Sequence, residues 1–159
     1  MGRCDFKMSE EDYKSRAGAI EGARLITPPS ILLTTLKETI QTQCTLRSRL
    51  AAAIVHRERI LISGVNKLKT HPIQKRFATS HHKTFLHAEI ACIIEYIKFQ
   101  QRTQTRYSSL DFYIMRLLAN DTLASSWPCD GCFTAIQTEL PAANIVFWFN
   151  SAWMKWNSA

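Results

Sequence analysis

Two short strings of metal-binding residues, each just ahead of a helical segment, constrain the fold of this chain most. His87 and Glu89 form an H-x-E string before one helical pattern, and Cys129 and Cys132 form a P-C-x-x-C string before a helix that Pro141 ends. Zinc favours tetrahedral sites with nitrogen and sulfur ligands. His87, Cys129 and Cys132 are therefore predicted to bind one Zn²⁺ ion where two helices begin, and the helix dipoles there favour thiolates.

Three protein ligands leave a fourth coordination position for water, which is typical of a catalytic zinc site. Zinc lowers the pKa of such a water to about 7. Glu89 stands two residues after His87 and is predicted to carry protons instead of binding the metal. Two other interpretations stay open: the C-x-x-C pair is a redox pair, or the site is structural and takes its fourth ligand from His81, His82 or Cys92.

Short apolar runs alternate with helical patterns along the chain. A capping box at residues 9–12 predicts a helix to about Leu25, and Ser30 begins a second helix. Strands are predicted at 51–56, 60–65, 110–118 and 144–149, and later helices at 88–101 and 132–140. Strands separated by helices imply parallel pairing with right-handed crossovers, so the class is α/β, with helices covering a mixed sheet.

Composition and length set the class of protein. The 159 residues are 46% apolar and 21% charged, which is the composition of one globular domain. The apolar runs are far shorter than the roughly 20 residues that cross a bilayer, so no membrane partner is expected. No secretory signal is visible, and five cysteines are an odd number for a disulfide framework, so a reducing, cytoplasmic location is expected. The net charge of +7 favours anionic partners, such as nucleotides or nucleic acid.

The two strings, in this order, resemble the signature of the zinc-dependent cytidine and deoxycytidylate deaminase superfamily. The resemblance covers about residues 30–149, so residues 1–29 are expected to form a helical extension and residues 30–159 the deaminase-like zinc domain. It implies a three-layer α/β/α cytidine deaminase-like fold with a mixed sheet of four to five strands. It also implies that a zinc-bound hydroxide attacks the carbon that carries the amine, while Glu89 protonates the ring nitrogen and then the departing ammonia.

Two further site residues follow from the same resemblance. Gly64-Val65-Asn66 is similar to a G-x-N string with which members of the superfamily contact the sugar or base, so Asn66 is expected to bind substrate, although Gly and Asn are also common in turns. Trp127 stands at the position whose backbone carbonyl accepts a hydrogen bond from the substrate amine. Its side chain is equally typical of a core.

A basic segment separates Asn66 from His87. Residues 67–83 include several lysines, arginines and histidines and no acidic residue, and the segment is expected to be a loop. Lys67 and Lys69 are predicted to bind a substrate phosphate at the pocket mouth. The alternatives are a solvated loop without function, and a second, structural zinc bound by the histidines at positions 71, 81 and 82.

The first zinc ligand bears on the choice of substrate. A histidine such as His87 resembles the branch that acts on deoxycytidylate, transfer RNA and polynucleotides, whereas nucleoside deaminases usually have a cysteine there. Residues 64–72 are also similar to bacteriophage deaminases labelled as deoxycytidylate deaminases, and residues 125–129 partly resemble the S-W-S-P-C string of polynucleotide cytosine deaminases. Against this, the few residues after 150 leave room only for an antiparallel strand over 152–156, which is typical of the nucleoside branch.

The carboxyl end is rich in aromatic side chains, which are Phe147, Trp148, Phe149, Trp153 and Trp156. A short sheet cannot bury them all on one face, so some are expected to contact another subunit. Members of the superfamily are commonly oligomeric. A homo-oligomer is therefore expected.

Three functions fit these observations. The first is zinc-dependent hydrolytic deamination of a cytosine nucleotide, dCMP to dUMP. The second is a cytosine or adenosine deaminase that acts on RNA or single-stranded DNA, for which the net charge is the main argument. The third is a non-catalytic, zinc-stabilised nucleic-acid-binding domain. Glu89 argues against the third, because a structural site has no need of that carboxylate.

Overall fold

Side chains of the central strands alternate between two apolar layers. The computed structural model describes residues 22–77 and 85–158. In strand β2 (Arg49–His56), Ala51 and Ala53 face one buried cluster, while Ala52 and Ile54 face the other. Successive side chains of a strand point to opposite faces of the sheet, so both faces of β2 are covered.

The described part of the chain contains four helices and seven strands. The helices are α1 (Ser30–Gln43), α2 (Pro72–Phe77), α3 (Ala88–Thr103) and α4 (Asp130–Glu139). The strands are β1 (Arg24–Leu25), β2 (Arg49–His56), β3 (Arg59–Val65), β4 (Asp111–Leu117), β5 (Leu123–Ala124), β6 (Asn144–Phe149) and β7 (Ala152–Trp156). They form one sheet in the order β1-β7-β6-β4-β2-β3, with β5 paired to the end of β4. Among these pairs β4 and β6 run parallel and the others antiparallel, so the sheet is mixed.

Helices cover the two faces of the sheet. Helix α1 buries Leu32, Leu36 and Ile40, which recur every four residues and therefore lie on one side of the helix. Helices α3 and α4 pack on the opposite face, where their apolar residues join those of β2, β4 and β6 in a second cluster. The predicted α/β class with three layers is confirmed.

Two tight turns fix the hairpins. Arg57 and Glu58, between β2 and β3, both have positive φ values, of 48° and 65°. Asn150 and Ser151, between β6 and β7, have φ values of 49° and 62°. Two consecutive left-handed residues are typical of the type I′ turn, whose twist matches that of paired strands. The predicted hairpin and the predicted antiparallel strand over 152–156 are both confirmed.

A polar contact joins three strands at one end of the sheet. The Asp111 carboxylate on β4 accepts a hydrogen bond from the Asn144 side chain on β6, at 3.0 Å. It also pairs with the Lys155 ammonium group on β7, at 2.9 Å. Most of the surface of both charged side chains is shielded from solvent, so water competes weakly for this contact. The contact reinforces the parallel β4–β6 pair and the antiparallel β7 together.

The sheet is larger than predicted because pairing in the tertiary structure overrides local patterns. The prediction of a helix that runs to about Leu25 is wrong at the carboxyl end of that helix, because Arg24–Leu25 form β1 and pair with the free edge of β7. The rest of that predicted helix lies outside the described residues, and the boundary at residue 29 stays a prediction. Strand β5 was also not predicted, since two residues carry no detectable periodicity.

The aromatic residues near the carboxyl end are divided between the two layers. Phe147 is fully buried on the side of α3 and α4, together with part of Trp156. Trp148 and Trp153 pack on the side of α1 and contact each other edge to face. Their burial therefore does not require a second subunit, and the homo-oligomer stays a prediction. Over residues 22–77 and 85–158, no helix combines the length and hydropathy of a membrane span.

Replacing Asp111 by alanine is expected to lower the free energy of unfolding by about 1–3 kcal/mol, because the Asn144 amide and the Lys155 ammonium lose their shared acceptor. The matched control is Glu95→Ala, which removes an exposed ion pair to Lys98 within α3 and should cost about 0.5 kcal/mol or less. Urea unfolding measures both changes. Equal costs for the two variants would show that the three-strand contact contributes no more than a surface ion pair.

Candidate active site

The two strings of predicted metal ligands lie where α3 and α4 begin. His87 is the residue that precedes the first turn of α3, and Cys129 holds the same position before α4. The Cys129 sulfur accepts a hydrogen bond from the backbone N–H of Cys132, at 3.4 Å. A thiolate is a suitable cap, because the free N–H groups and the dipole of a helix start favour negative charge. The predicted placement of both strings at helix starts is confirmed.

The three donor atoms form one compact group. The Nδ1 atom of His87 lies 3.3 Å from the sulfur of Cys132 and 3.7 Å from that of Cys129, and all three atoms lie within 4.8 Å of one another. Bonds of about 2.1 Å to nitrogen and 2.3 Å to sulfur place tetrahedral zinc ligands about 3.5 Å apart. The group can therefore bind a metal ion, and its donor chemistry and spacing fit zinc. No second such group occurs in residues 22–77 and 85–158.

Hydrogen bonds among the three residues shift their pKa values. Hydrogen bonds lower the pKa of Cys129 to about 4, and the one from Cys132 has a larger effect than the one from His87. Burial alone would raise this pKa. The same contact with Cys129, together with burial, raises the pKa of Cys132 well above its ordinary value. The hydrogen bond to Cys129 also raises the pKa of His87. A bound cation would replace the proton of the Cys132 thiol, so metal binding releases a proton.

Glu89 lies in the first turn of α3 and is only 4% exposed. Burial raises the pKa of its carboxyl group, and the nearby positive charge of His87 partly opposes this rise. The Cys129 thiolate acts in the same direction as burial. A buried carboxyl group with a raised pKa, next to a group that can bind a metal, is a candidate for proton transfer.

The backbone beside His87 is held by the segment that the sequence predicts to be a basic loop. Lys67 and Leu86 exchange two backbone hydrogen bonds, at 3.0 and 2.9 Å. The backbone N–H of His87 donates to the side-chain oxygen of Gln74, at 3.0 Å. Gln74 lies on α2, a helix that the analysis of the sequence missed because six residues show too little periodicity. The described part of this segment is therefore partly helical and packed against the site, so a wholly solvated loop is wrong for it, and its role in function stays a prediction.

Ser126 holds the backbone beside Cys129. Its hydroxyl donates to the carbonyl of Ile114 on β4, at 2.7 Å, and accepts from the N–H of Trp148 on β6, at 2.8 Å. Its own N–H donates to the carbonyl of Trp148, at 3.0 Å. Ser126 is 2% exposed, and its hydrogen bonds join the two parallel strands near the last residues of their pairing. No sequence signal marked its role, because serine is common in surface loops.

Asn66 uses most of its side chain to hold the chain that precedes β2. Its amide oxygen accepts from the N–H of Leu50, at 2.9 Å, and from the thiol of Cys44, at 3.0 Å. Its amide nitrogen donates to the carbonyl of Ser48, at 2.6 Å. One N–H of the amide is left over from these contacts. The substrate contact predicted for Asn66 stays a prediction and is limited to that one donor.

The other predicted substrate residues differ in exposure. The Trp127 side chain is 9% exposed and packs against Phe147 and Phe133, with ring centroids 4.6 and 5.5 Å away. The expectation of a core side chain is thus confirmed, and only the backbone of Trp127 could contact a substrate. Lys67 and Lys69 are exposed and lie on the segment that is tied to Leu86.

His71 does not join the metal-binding group. Its Nδ1 atom accepts a hydrogen bond from the backbone N–H of Ile73, at 3.2 Å, at the start of α2. The other two histidines proposed for a second zinc site, at positions 81 and 82, lie outside the described residues. A second zinc site therefore stays a prediction.

Gly64 allows β3 to approach α3 closely. A Cβ atom at this position would lie 2.8 Å from the backbone nitrogen of Cys92. The glycine of the G-x-N string therefore has a packing role on α3, the helix that begins next to His87.

A cavity of 610 Å³ lies away from the predicted ligands, between the carboxyl ends of α3 and α4. Its lining includes Tyr96, Gln100, Arg106 and Glu139 and none of the predicted site residues. The metal-binding group, with its buried carboxyl group and shifted pKa values, is the better candidate for chemistry.

Structural comparison identifies the architecture. The chain is similar to the cytidine deaminase from Burkholderia pseudomallei, known from a 1.6 Å crystal structure, with a TM-score of 0.50 and 11% sequence identity. The match covers 80% of this chain and 91% of that one. The chain has a cytidine deaminase-like fold. At 11% identity this likeness concerns the fold alone. No protein-family model and no curated protein sequence matches the chain.

Replacing Ser126 by alanine in this deaminase-like fold should lower the free energy of unfolding by about 1–3 kcal/mol, because it leaves the N–H of Trp148 and the carbonyl of Ile114 without their buried partner. Ser125→Ala is the control, since the Ser125 hydroxyl forms no hydrogen bond within the described structure; it should cost about 0.5 kcal/mol or less. Thermal and urea unfolding measure both. An unchanged stability of Ser126→Ala would mean that water replaces the hydroxyl at no cost.

Proposed function

We propose that this chain is a zinc-dependent enzyme that removes the amino group of a cytosine nucleotide by hydrolysis, with dCMP as substrate and dUMP and ammonia as products. One observation carries the proposal: His87, Cys129 and Cys132 form a metal-binding group next to the buried Glu89, within a cytidine deaminase-like fold. A structural metal site has no use for a buried carboxyl group beside it, because burying that group costs free energy.

The donor set supports zinc as the resident metal. His87, Cys129 and Cys132 would supply one nitrogen and two sulfur ligands, which leaves room for a water molecule in a tetrahedral site. Bound zinc supplies the nucleophile, because it lowers the pKa of a coordinated water to about 7. The helix starts of α3 and α4 stabilise the thiolates through their free N–H groups.

Glu89 is proposed to move the protons of the reaction. Its carboxylate accepts a proton from the attacking water and delivers it to the ring nitrogen of cytosine. The carboxylate then accepts the proton of the hydroxyl group that the water has left on the ring carbon and transfers it to the amino group. The bond from the ring carbon to nitrogen breaks, ammonia leaves, and the carbon–oxygen bond becomes the carbonyl of uracil. The burial of Glu89 supports this role, because burial raises the pKa of the carboxyl group and so makes its protonated form available as an acid.

Substrate contacts are proposed for four residues. The backbone carbonyl of Trp127 would accept a hydrogen bond from the amine, and the remaining N–H of Asn66 would reach the sugar or base. Lys67 and Lys69 would bind the phosphate, which their exposure and their connection to Leu86 support. The antiparallel β7 is typical of nucleoside deaminases, so a test must compare nucleotide and nucleoside directly.

Purified protein is expected to bind one equivalent of zinc, and His87→Ala, Cys129→Ser and Cys132→Ser should each reduce this by at least 10-fold in affinity, because each removes one of three ligands. Cys44→Ser is the control, since this thiol lies outside the group and serine retains a hydrogen bond to Asn66. Elemental analysis and titration with a zinc-binding dye measure the result. Retention of zinc in all three ligand variants would disprove the site.

Glu89→Gln should reduce ammonia release from dCMP by at least about 100-fold while zinc remains bound, because the amide cannot carry the proton. Glu95→Gln is the matched control on the exposed side of α3 and should remain active. The substrates are dCMP, CMP, deoxycytidine, cytidine and single-stranded oligonucleotides.

Lys67→Ala and Lys69→Ala should raise the KM for dCMP and leave that for deoxycytidine unchanged.

Each outcome bears on one part of the proposal. Turnover of deoxycytidine but not of dCMP would retain the chemistry and reject the phosphate contact. Full activity of Glu89→Gln would reject the assigned proton carrier. Zinc binding without ammonia release from any substrate would reject the enzymatic function and favour the third function considered from the sequence, a zinc-stabilised binding domain.

A second candidate function, deamination within RNA or single-stranded DNA, is favoured by the exposed basic side chains near His87. Lys75 and Arg76 on α2 are also exposed, and Arg76 lies 4.0 Å from the Glu139 carboxylate. A polynucleotide would contact several of these cations, so its binding would weaken steeply as salt increases. Activity confined to oligonucleotides, with such a salt dependence, would replace the first proposal.

A further inference from the structure

The buried polar side chains of the described structure are found around one site. Residues 22–77 and 85–158 contain three of them, Gln74, Glu89 and Ser126. Glu89 lies beside the metal-binding group, and Ser126 holds the chain next to Cys129. Gln74 contacts the backbone of His87 and has no part in the reaction as proposed. A polar group in the interior costs free energy unless it forms a hydrogen bond, so the position of Gln74 calls for a physical explanation.

Local features of α2 direct Gln74 toward the interior. His71 caps the start of the helix with its ring nitrogen, and Pro72 occupies the first helical position, where a missing N–H costs nothing. Ile73 and Phe77, one helical turn apart, pack against the cluster of α3 and α4. Gln74 follows Ile73 directly and is 6% exposed, whereas Lys75 and Arg76 are exposed.

The hydrogen bond from His87 to Gln74 acts on the main chain of the predicted ligand. His87 precedes the first turn of α3, so its N–H takes no part in the hydrogen bonds of that helix. The preceding residue, Leu86, is paired with Lys67 through two hydrogen bonds. Together with the bond to Gln74, these contacts hold the backbone of two consecutive residues, Leu86 and His87. The imidazole of His87 faces the two sulfurs.

We propose that Gln74 is a positioning residue for the metal centre: its side-chain oxygen holds the backbone of His87 so that Nδ1 meets Cys129 and Cys132 at ligand distance. The inference rests on the proposed function only in that the three residues bind zinc. It assigns to the basic segment a role in the geometry of the metal, beyond any contact with a phosphate. The bond is between uncharged groups, so it adds no charge beside Glu89.

The test separates the shape of Gln74 from its hydrogen bond. Gln74→Met keeps the length of the side chain and removes the oxygen acceptor, whereas Gln74→Glu keeps the acceptor. Gln137→Met makes the same exchange at an exposed position of α4 and serves as the matched control. For each protein the zinc dissociation constant is measured by competition with a chelator, and the visible spectrum is recorded with Co²⁺ in place of zinc. Stability without metal is measured by urea unfolding.

Gln74→Met is expected to weaken zinc binding about 10- to 100-fold, which is the usual effect of losing a partner that orients a ligand. Its cobalt spectrum should change in the ligand-field bands, because the imidazole is less well placed. Gln74→Glu should keep the cobalt spectrum, because its oxygen still accepts a hydrogen bond from His87. The spectrum is the measure for this variant, since the added carboxyl group can itself change the zinc affinity. A purely structural role of Gln74 would lower stability without metal and leave the spectrum unchanged.

Unchanged zinc affinity and an unchanged cobalt spectrum in Gln74→Met would overturn the inference. If that variant does not fold, Gln74→Asn replaces it, because its shorter side chain moves the oxygen away from His87; the same result would then decide. None of these measurements requires turnover. Tight zinc binding that depends on Gln74, in a protein that deaminates nothing, would therefore reject the proposed function and support the inference, whereas an original protein that binds no zinc would reject both.

Discussion

Among the described strands, the one parallel pair, β4 beside β6, determines where the candidate site lies. Parallel neighbours need a crossover, and α4 provides it, so α4 must begin close to the carboxyl end of β4. The carboxyl ends of strands are where open α/β sheets bind ligands. Cys129 and Cys132 stand at the start of this crossover. Helix α3 packs against α4 and brings His87 to the same edge, so the backbone topology brings the three donors together.

A small number of polar contacts offset the free-energy cost of burying the ionisable groups of the candidate site. Two thiol groups, an imidazole and a carboxyl group share one largely buried site, which is unfavourable unless charges and protons are distributed among them. Cys129 carries the negative charge, because the helix start and two hydrogen bonds stabilise it. Glu89 is left with a raised pKa. Burial therefore disfavours charge on Glu89, while the helix start and its hydrogen bonds keep the negative charge on Cys129.

The features predictable from the sequence were those with a local pattern. Short apolar runs on either side of a tight turn predicted β2 and β3, and the C-x-x-C and H-x-E strings predicted which residues would meet at helix starts. The features that were missed depend on distant partners. Strand β1 exists because β7 offers a free edge, and nothing in Arg24–Leu25 specifies that edge. Gln74 resembles any polar residue of a basic segment, and only the packing of Ile73 and Phe77 turns it inward.

The direction of β7 is typical of one branch of the superfamily that the sequence resembles, and a histidine as first ligand is typical of another. The two features arise in different parts of the chain. The turn at Asn150-Ser151 and the contact of Lys155 with Asp111 set the direction of β7, far along the chain from His87. Strand direction therefore does not constrain the phosphate contact. That contact would depend on the segment that carries Lys67 and Lys69, which also holds Leu86 and His87. In the proposed reaction, the same segment would bind the phosphate of the substrate and hold the metal ligand His87 in place.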